Sequence, residues 1–188
     1  MFKTLSTVAA TLLLAGAAQA ASTVVDVSAH DDSWNGGHGA GLDTGVTLQA
    51  NQSFSVTASD LDLWSAGNPL RQSDANGLTG NIYAVAGDDS GAAPGTQIGE
   101  SFGIYDGFYF GELVGQIGSG TYFAVGTDFT GTANASGTLK LFYWDSNYAD
   151  NSGAVAATVS TVPEPGSLAL MLAGVGIIVG LARRRARH

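Results

Sequence analysis

Along most of the chain, apolar and polar residues alternate one by one in short runs. These are Thr23–Val27, Val46–Gln49, Ser53–Ala58, Asn81–Ala86, Leu113–Ile117, Thr121–Val125, Thr138–Trp144 and Ala154–Ser160. A period of two sends successive side chains to opposite faces of a strand, one toward a core and one toward water. Clusters such as Asp74-Ala75-Asn76-Gly77 and Gly87-Asp88-Asp89-Ser90-Gly91 separate the runs, and residues of this kind make tight turns. No long stripe with the 3.6-residue helical period is present. The pattern predicts an all-β domain over residues 21–160, a small antiparallel, jelly-roll-like β-sandwich of about eight short strands.

Two stretches escape the alternation, one at each end. At the N-terminus, Lys3 precedes an apolar run from Val8 to Ala18 and the small-x-small triplet Ala18-Gln19-Ala20. This order predicts a secretory signal peptide over residues 1–20, with the mature chain starting at Ala21. At the C-terminus, Pro163-Glu164-Pro165-Gly166 is followed by an apolar run from Leu168 to Ala182 and then Arg183-Arg184-Arg185-Ala186-Arg187-His188. At 1.5 Å per residue a helix over 168–182 spans ~22 Å of a ~30 Å hydrocarbon core. Snorkelling arginines extend such a short span, and their charge sets them on the cytoplasmic side. A single transmembrane helix is therefore expected at about 168–182, within a terminal segment 161–188. The order of Pro-Glu-Pro box, short apolar helix and arginine cluster resembles the PEP-CTERM sorting signal. That resemblance implies an exosortase and the secretion machinery as partners and transient anchoring in the inner membrane. It also implies delivery to the cell surface, outer membrane or extracellular matrix.

Charge sharpens the picture once the ends are set aside. The whole chain carries a formal −9, but residues 21–162 keep two bases, Arg71 and Lys140, against fifteen acids, a net −13. Phosphate backbones need a basic face, so nucleic acid is excluded as a partner. An acidic domain suits a cation such as calcium or a neutral ligand. The chain has no cysteine, so an exported fold must rest on its core, with or without the help of a metal.

The densest polar constellation lies between the last two runs, in Asp145-Ser146-Asn147-Tyr148-Ala149-Asp150-Asn151-Ser152-Gly153. The expectation is a closing β-hairpin whose nine-residue loop gathers Asp145, Asn147, Asp150 and Asn151. Calcium takes six to eight oxygens from carboxylates, amides and backbone carbonyls, and a polar solvent-facing loop is the plainer alternative. Several stretches resemble the PA-I-type galactophilic lectins, a family of small calcium-dependent β-sandwiches. They are Leu113-Val114-Gly115-Gln116-Ile117-Gly118, Phe123-Ala124-Val125-Gly126 and the Asp145…Asp150-Asn151-Ser152-Gly153 loop, with Trp64-Ser65-Ala66-Gly67-Asn68-Pro69 and Ser73-Asp74-Ala75-Asn76-Gly77 upstream. The resemblance implies a calcium site made by Asp145, Asp150 and Asn151 with backbone carbonyls near Asn147 and Ala66. It implies sugar contacts from Asp145, Ser146, Asn76 and Ser73. Ser73 falls near the place of the family's sugar-binding histidine, which this chain lacks, and the loop is two residues shorter than in the lectins.

Other groups offer less. His30, Asp31, Asp32 and His38 lie in a Gly-rich stretch where a transition metal is conceivable, although solvated side chains are the ordinary outcome. Asp43-Thr44-Gly45 echoes an aspartic-protease triplet without a second copy to form the dyad, and no G-x-S-x-G, H-E-x-x-H or P-loop occurs. Glu100 and Glu112 sit in Gly-rich turns with nothing to mark them as a glycosidase pair. Phe102, Tyr105, Phe108, Tyr109 and Phe110 form the densest aromatic cluster, readable as core or as a sugar-stacking platform. The expectation is a protein that is not an enzyme. It is read as an exported calcium-dependent carbohydrate-binding, lectin-like protein engaging exopolysaccharide or cell-surface glycan. The alternative is a non-catalytic structural protein of the extracellular matrix in which calcium serves only as a staple.

Overall fold

A computed structural model describes residues 21–67 and 70–161, together with Gly174. The expected signal peptide (1–20), the Pro163-Glu164-Pro165 box, the apolar run 168–182 and Arg183, Arg184 and Arg185 lie outside the described residues. Among those described, no helix is long and apolar enough to cross a membrane.

The described residues form fourteen strands in order: β1 (Ala21–Ser28), β2 (Leu42–Leu48), β3 (Ser53–Ala58), β4 (Trp64–Ser65), β5 (Gln72–Ser73), β6 (Ile82–Tyr83), β7 (Gln97–Gly99), β8 (Ile104–Tyr105), β9 (Phe108–Tyr109), β10 (Leu113–Ile117), β11 (Phe123–Ala124), β12 (Asp128–Thr132), β13 (Gly137–Tyr143) and β14 (Ala154–Thr161). Two four-stranded antiparallel sheets, in the orders β1-β14-β3-β12 and β11-β10-β13-β2, form a β-sandwich. Three two-stranded ribbons, β4-β5, β6-β7 and β8-β9, make up the rest.

Alternation explains the layers. On β14, Val155, Ala157 and Val159 are buried while Ala154 and Ala156 face out. On β13, Leu139, Leu141 and Tyr143 point the same way from the opposite sheet. These inward residues join Val27, Leu48, Phe54, Val56, Leu113 and Ile117 in one continuous core. Truncating a buried leucine of this kind, such as Leu139, costs about 2–5 kcal/mol. The outer face of the second sheet is covered as well. Phe142 and Trp144 pack there with Val114 and Trp34, and the Trp34 and Trp144 rings stack with centroids 4.1 Å apart. This is why alternation gives way to the continuous apolar run Leu141–Trp144: that half of the strand is buried on both faces, while Thr138 and Lys140 stay partly exposed.

The closing hairpin expected from the sequence does not form. β13 pairs with β10 and β2, whereas β14 pairs with β1 and β3. The loop 145–153 therefore crosses from one sheet to the other at the edge of the core. A nine-residue connection is long for a hairpin, and the crossing lets both strands turn an apolar face into the same interior. The crossing also places a polar loop directly over buried residues.

Candidate functional site

The loop is held at both ends. At its start, Trp144 donates its backbone N–H to Glu112 O at 3.0 Å and accepts that of Gly111 at 2.8 Å, and the Gly36 N–H reaches Asp145 O at 3.3 Å. At its end, Ser65 and Ser152 exchange two backbone hydrogen bonds of 2.8 and 3.0 Å, and the Ala29 N–H bonds to Gly153 O at 3.0 Å. The Ser65–Ser152 pair brings Ala66 alongside the loop. A turn closed by Ala66 N–H to Arg71 O at 2.9 Å then carries Arg71 back to the same place.

A cavity of about 140 Å³ opens between these segments. Asp145, Ser146, Asn147 and Asp150 line it from the loop, and Ala66, Arg71, Phe102 and Phe110 face them. Gly67 contributes by having no side chain. Its φ of +92° suits glycine, and a Cβ there would collide with the Asp150 carboxylate. Inside the loop, Asp145 Oδ1 accepts the Asn147 N–H at 3.2 Å and Asp150 Oδ1 accepts from Asn147 Nδ2 at 3.2 Å. Asn147 Oδ1 is engaged by the Ala149 N–H. The loop is thus pre-shaped by hydrogen bonds among its own polar groups.

Electrostatics marks the same spot. Asp145 is only 6% exposed. Burial pushes its carboxyl above the usual aspartate range, and the Asp150 charge adds to that rise, while the Asn147 and Ser146 amides and the Asn151 side chain counter it. Burial likewise pushes the Tyr143 phenol well up, helped by Asp145 and Asp150 and opposed by Arg71. Asn151 is also 6% exposed. Its Nδ2 donates to Ala29 O at 3.1 Å, yet its buried Oδ1 has no hydrogen-bond partner. A buried unpaired amide oxygen costs about 1–3 kcal/mol and calls for a reason.

The structure therefore brings together Asp145, Ser146, Asn147, Asp150 and Ala66 around one cavity, with Asn151 buried in the same loop. The available donors are carboxylate, amide and backbone carbonyl oxygens, the set a hard cation such as calcium prefers. The cradle at Gly67 and the unpartnered Asn151 Oδ1 agree with that chemistry. Among the described residues, no three His, Asp or Glu side chains gather as a metal cluster, and the two carboxylates here depend on neutral oxygens to complete any shell.

Ser73 and Asn76 lie elsewhere. Ser73 is fully buried, its Oγ unpartnered beneath Gly111. Asn76 is exposed, but its amide is occupied: Nδ2 reaches Thr127 Oγ1 at 3.1 Å and Asp74 Oδ2 at 3.3 Å, and Oδ1 accepts the Thr127 N–H at 3.1 Å. Neither residue lines the cavity. His30 and Asp31 form a contact of 2.8 Å beside a larger depression of about 310 Å³ that also takes in Tyr148, while the Asp32 carboxylate is occupied by the Ser28 N–H. Within the Asp43-Thr44-Gly45 triplet, Asp43 caps the Gly45 N–H and Thr44 Oγ1 donates to Leu139 O. Glu112 caps the Tyr109 N–H. The aromatic cluster divides: Phe108 packs on Trp144, whereas Phe102 and Phe110 reach the cavity wall.

The sequence did not point to Gly67, Arg71, Phe102 or Phe110 as members of this site. Arg71 had one available signal, being one of two bases among fifteen acids in residues 21–162.

Comparison with known proteins bears first on the tail. Residues 161–186 match the family model described as the PEP-CTERM protein-sorting motif. The chain carries a PEP-CTERM sorting signal. Such a signal belongs to an exported, cell-surface protein. No curated protein matches the chain. Among solved structures it is similar to the EclA N-terminal domain, a PllA-like lectin, at 22% sequence identity and a TM-score of 0.46, over 74% of this chain and 95% of that one.

Proposed function

We propose that the protein is an exported, calcium-dependent carbohydrate-binding protein that engages exopolysaccharide or cell-surface glycan without catalysing a reaction on it. The observation that carries this reading is the convergence of Asp145, Asn147, Asp150 and Ala66 on one small cavity, with Asn151 Oδ1 buried and unpartnered in the same loop. Calcium bound there would supply a Lewis-acidic centre able to accept sugar hydroxyls in place of water. The chain's own residues do the rest. Asp145, Asp150 and Asn151 would hold the ion with carbonyls near Asn147 and Ala66, and Asp145 and Ser146 would orient the hydroxyls. Phe102 and Phe110 offer an apolar wall on the opposite side. In this reading the sorting signal would bring transient anchoring through the apolar run 168–182, processing by an exosortase, and display at the outer membrane or in the matrix.

A small polar site gains most of its binding energy from the metal and a few charge-assisted hydrogen bonds. Single-site affinity is then about −4 to −7 kcal/mol, roughly millimolar to tens of micromolar, and display in many copies strengthens it. A glycan array probed with and without chelator tests the reading. Calcium-dependent binding to at least one glycan class is expected, and binding unaffected by chelator would place any sugar site elsewhere.

One observation favours a second reading. Ser73 is buried and the Asn76 amide is committed to Thr127, so the sugar half of the resemblance is weaker than the metal half. A matrix protein with calcium as a staple would still show a calcium-dependent melt while binding no glycan.

A further inference from the structure

We propose that the cavity selects a carboxylate-bearing saccharide, such as a uronic-acid residue of an exopolysaccharide, through Arg71; this rests on the glycan-binding reading above. Arg71 is one of two bases in a domain with fifteen acids. The other, Lys140, is engaged away from the cavity, its Nζ 3.1 Å from Ala40 O. Arg71 lines the cavity together with Asp145 and Asp150. Among the described residues, no carboxylate comes within ion-pair distance of it. Its guanidinium carbon lies 4.3 Å from the Phe102 ring centroid. Stacking on an aromatic face fixes the plane of the fork and leaves its edge N–H groups to donate. A planar fork with free edges matches a carboxylate in two parallel hydrogen bonds.

Charge balance gives the same answer. With calcium held by Asp145 and Asp150, the ion cancels both carboxylates and the Arg71 charge is left uncompensated. The cavity is then locally positive inside a strongly acidic domain. A neutral sugar leaves that charge unmatched, whereas a uronate presents hydroxyls to the metal and its carboxylate to Arg71. Without calcium the two carboxylates outweigh Arg71 and repel an acidic sugar. Preference for the acidic sugar and dependence on calcium should therefore disappear together.

Uronic-acid oligosaccharides and their methyl esters make the decisive probes, because they differ only in the carboxylate. Binding to the purified protein is measured by calorimetry in calcium and in chelator, for the native chain, Arg71→Gln and Arg71→Lys. The native chain should bind the acid form at least about tenfold tighter than the ester, the worth of one well-made charge-assisted contact. Arg71→Gln should abolish that preference while ester binding persists. Arg71→Lys keeps the charge without the fork and should retain only part of the preference. Thermal melts check that each variant is folded. Equal binding of acid and ester by the native chain, or an undiminished preference in Arg71→Gln, overturns this inference alone. Failure of the native chain to bind either form or any other glycan overturns the carbohydrate reading and this inference with it.

Discussion

Two Asp/Asn turns of nearly the same composition sit on this domain and differ in what they leave unfinished. In Asp74–Asn76, the Asp74 carboxylate accepts the Asn76 N–H at 2.7 Å and its Nδ2 at 3.3 Å, and Asn76 closes onto Thr127. Every polar atom there that the hydrogen bonds name has a partner within the protein. In the loop 145–153, by contrast, Asp145 is buried, Asp150 stands beside it, and Asn151 Oδ1 has no partner. The first turn has spent its polar groups on its own fold, while the second leaves a buried amide oxygen unpaired. Residue type alone does not separate the two; burial and satisfaction do.

The sharpest way to break this contrast is to remove Asp145. A ligand bound only by the folded state adds about 2.7 kcal/mol at a hundredfold excess over Kd, or about 5–10 °C in the melting temperature of a domain this size. Native protein should show that rise on adding calcium and Asp145→Ala should show none. A rise that survives the substitution would move the site out of the loop.

Acid should erase the same increment. The folded Asp145 carboxyl is held above its ordinary value, chiefly by burial. In the metal-free protein this makes the group favour folding below the ordinary aspartate range, an advantage lost as pH rises through the elevated folded value. Calcium needs the ionised form, so its contribution has the opposite sense. Melts across an acid series should show the calcium increment growing as pH rises through the elevated value. An increment independent of pH across that range would contradict the role given to Asp145.

Gly67→Ala tests the cradle. The left-handed backbone and the overlap with Asp150 together should cost about 1–3 kcal/mol and weaken calcium binding, read by chemical denaturation and metal titration. Unchanged calcium affinity in a folded Gly67→Ala protein would detach Asp150 from the site. The smallest effect belongs to the satisfied turn. Asn76→Ala should cost about 1 kcal/mol through lost hydrogen bonds and leave the calcium increment at its native size; loss of the increment would mean that the two turns are not distinct in kind.

How much of this was readable beforehand follows the same physics. Alternation located β3, β14 and the first half of β13, because a half-buried strand must alternate, and β10 showed as a short apolar run because four of its five residues are buried. It could not show that β13 and β14 belong to different sheets, since inward and outward positions are the same whichever neighbour a strand takes. β12, Asp128–Thr132, passed unnoticed because none of its residues is buried and a glycine interrupts it. The ribbons β4-β5 and β8-β9 have two residues per strand, too few for any period. Within the candidate site, the loop residues that line the cavity were legible because they are neighbours in sequence. Gly67, Arg71, Phe102 and Phe110 were not, because the Ser65–Ser152 bridge and the packing of the β8-β9 ribbon, neither written in local pattern, bring them there. The reading of Ser73 and Asn76 rested on position in a resemblance. Burial of Ser73 and the Thr127 partner of Asn76 become visible only in three dimensions.

Calcium titration of the purified protein by calorimetry, on the native chain and Asp145→Ala, tests the central claim most directly. The account predicts a saturable heat of one ion per chain that is absent in the variant. A native titration with no binding heat and no accompanying change in melting temperature would contradict it, and would leave Asp145 and Asn151 as buried polar residues of an otherwise exposed loop, with no metal to satisfy them.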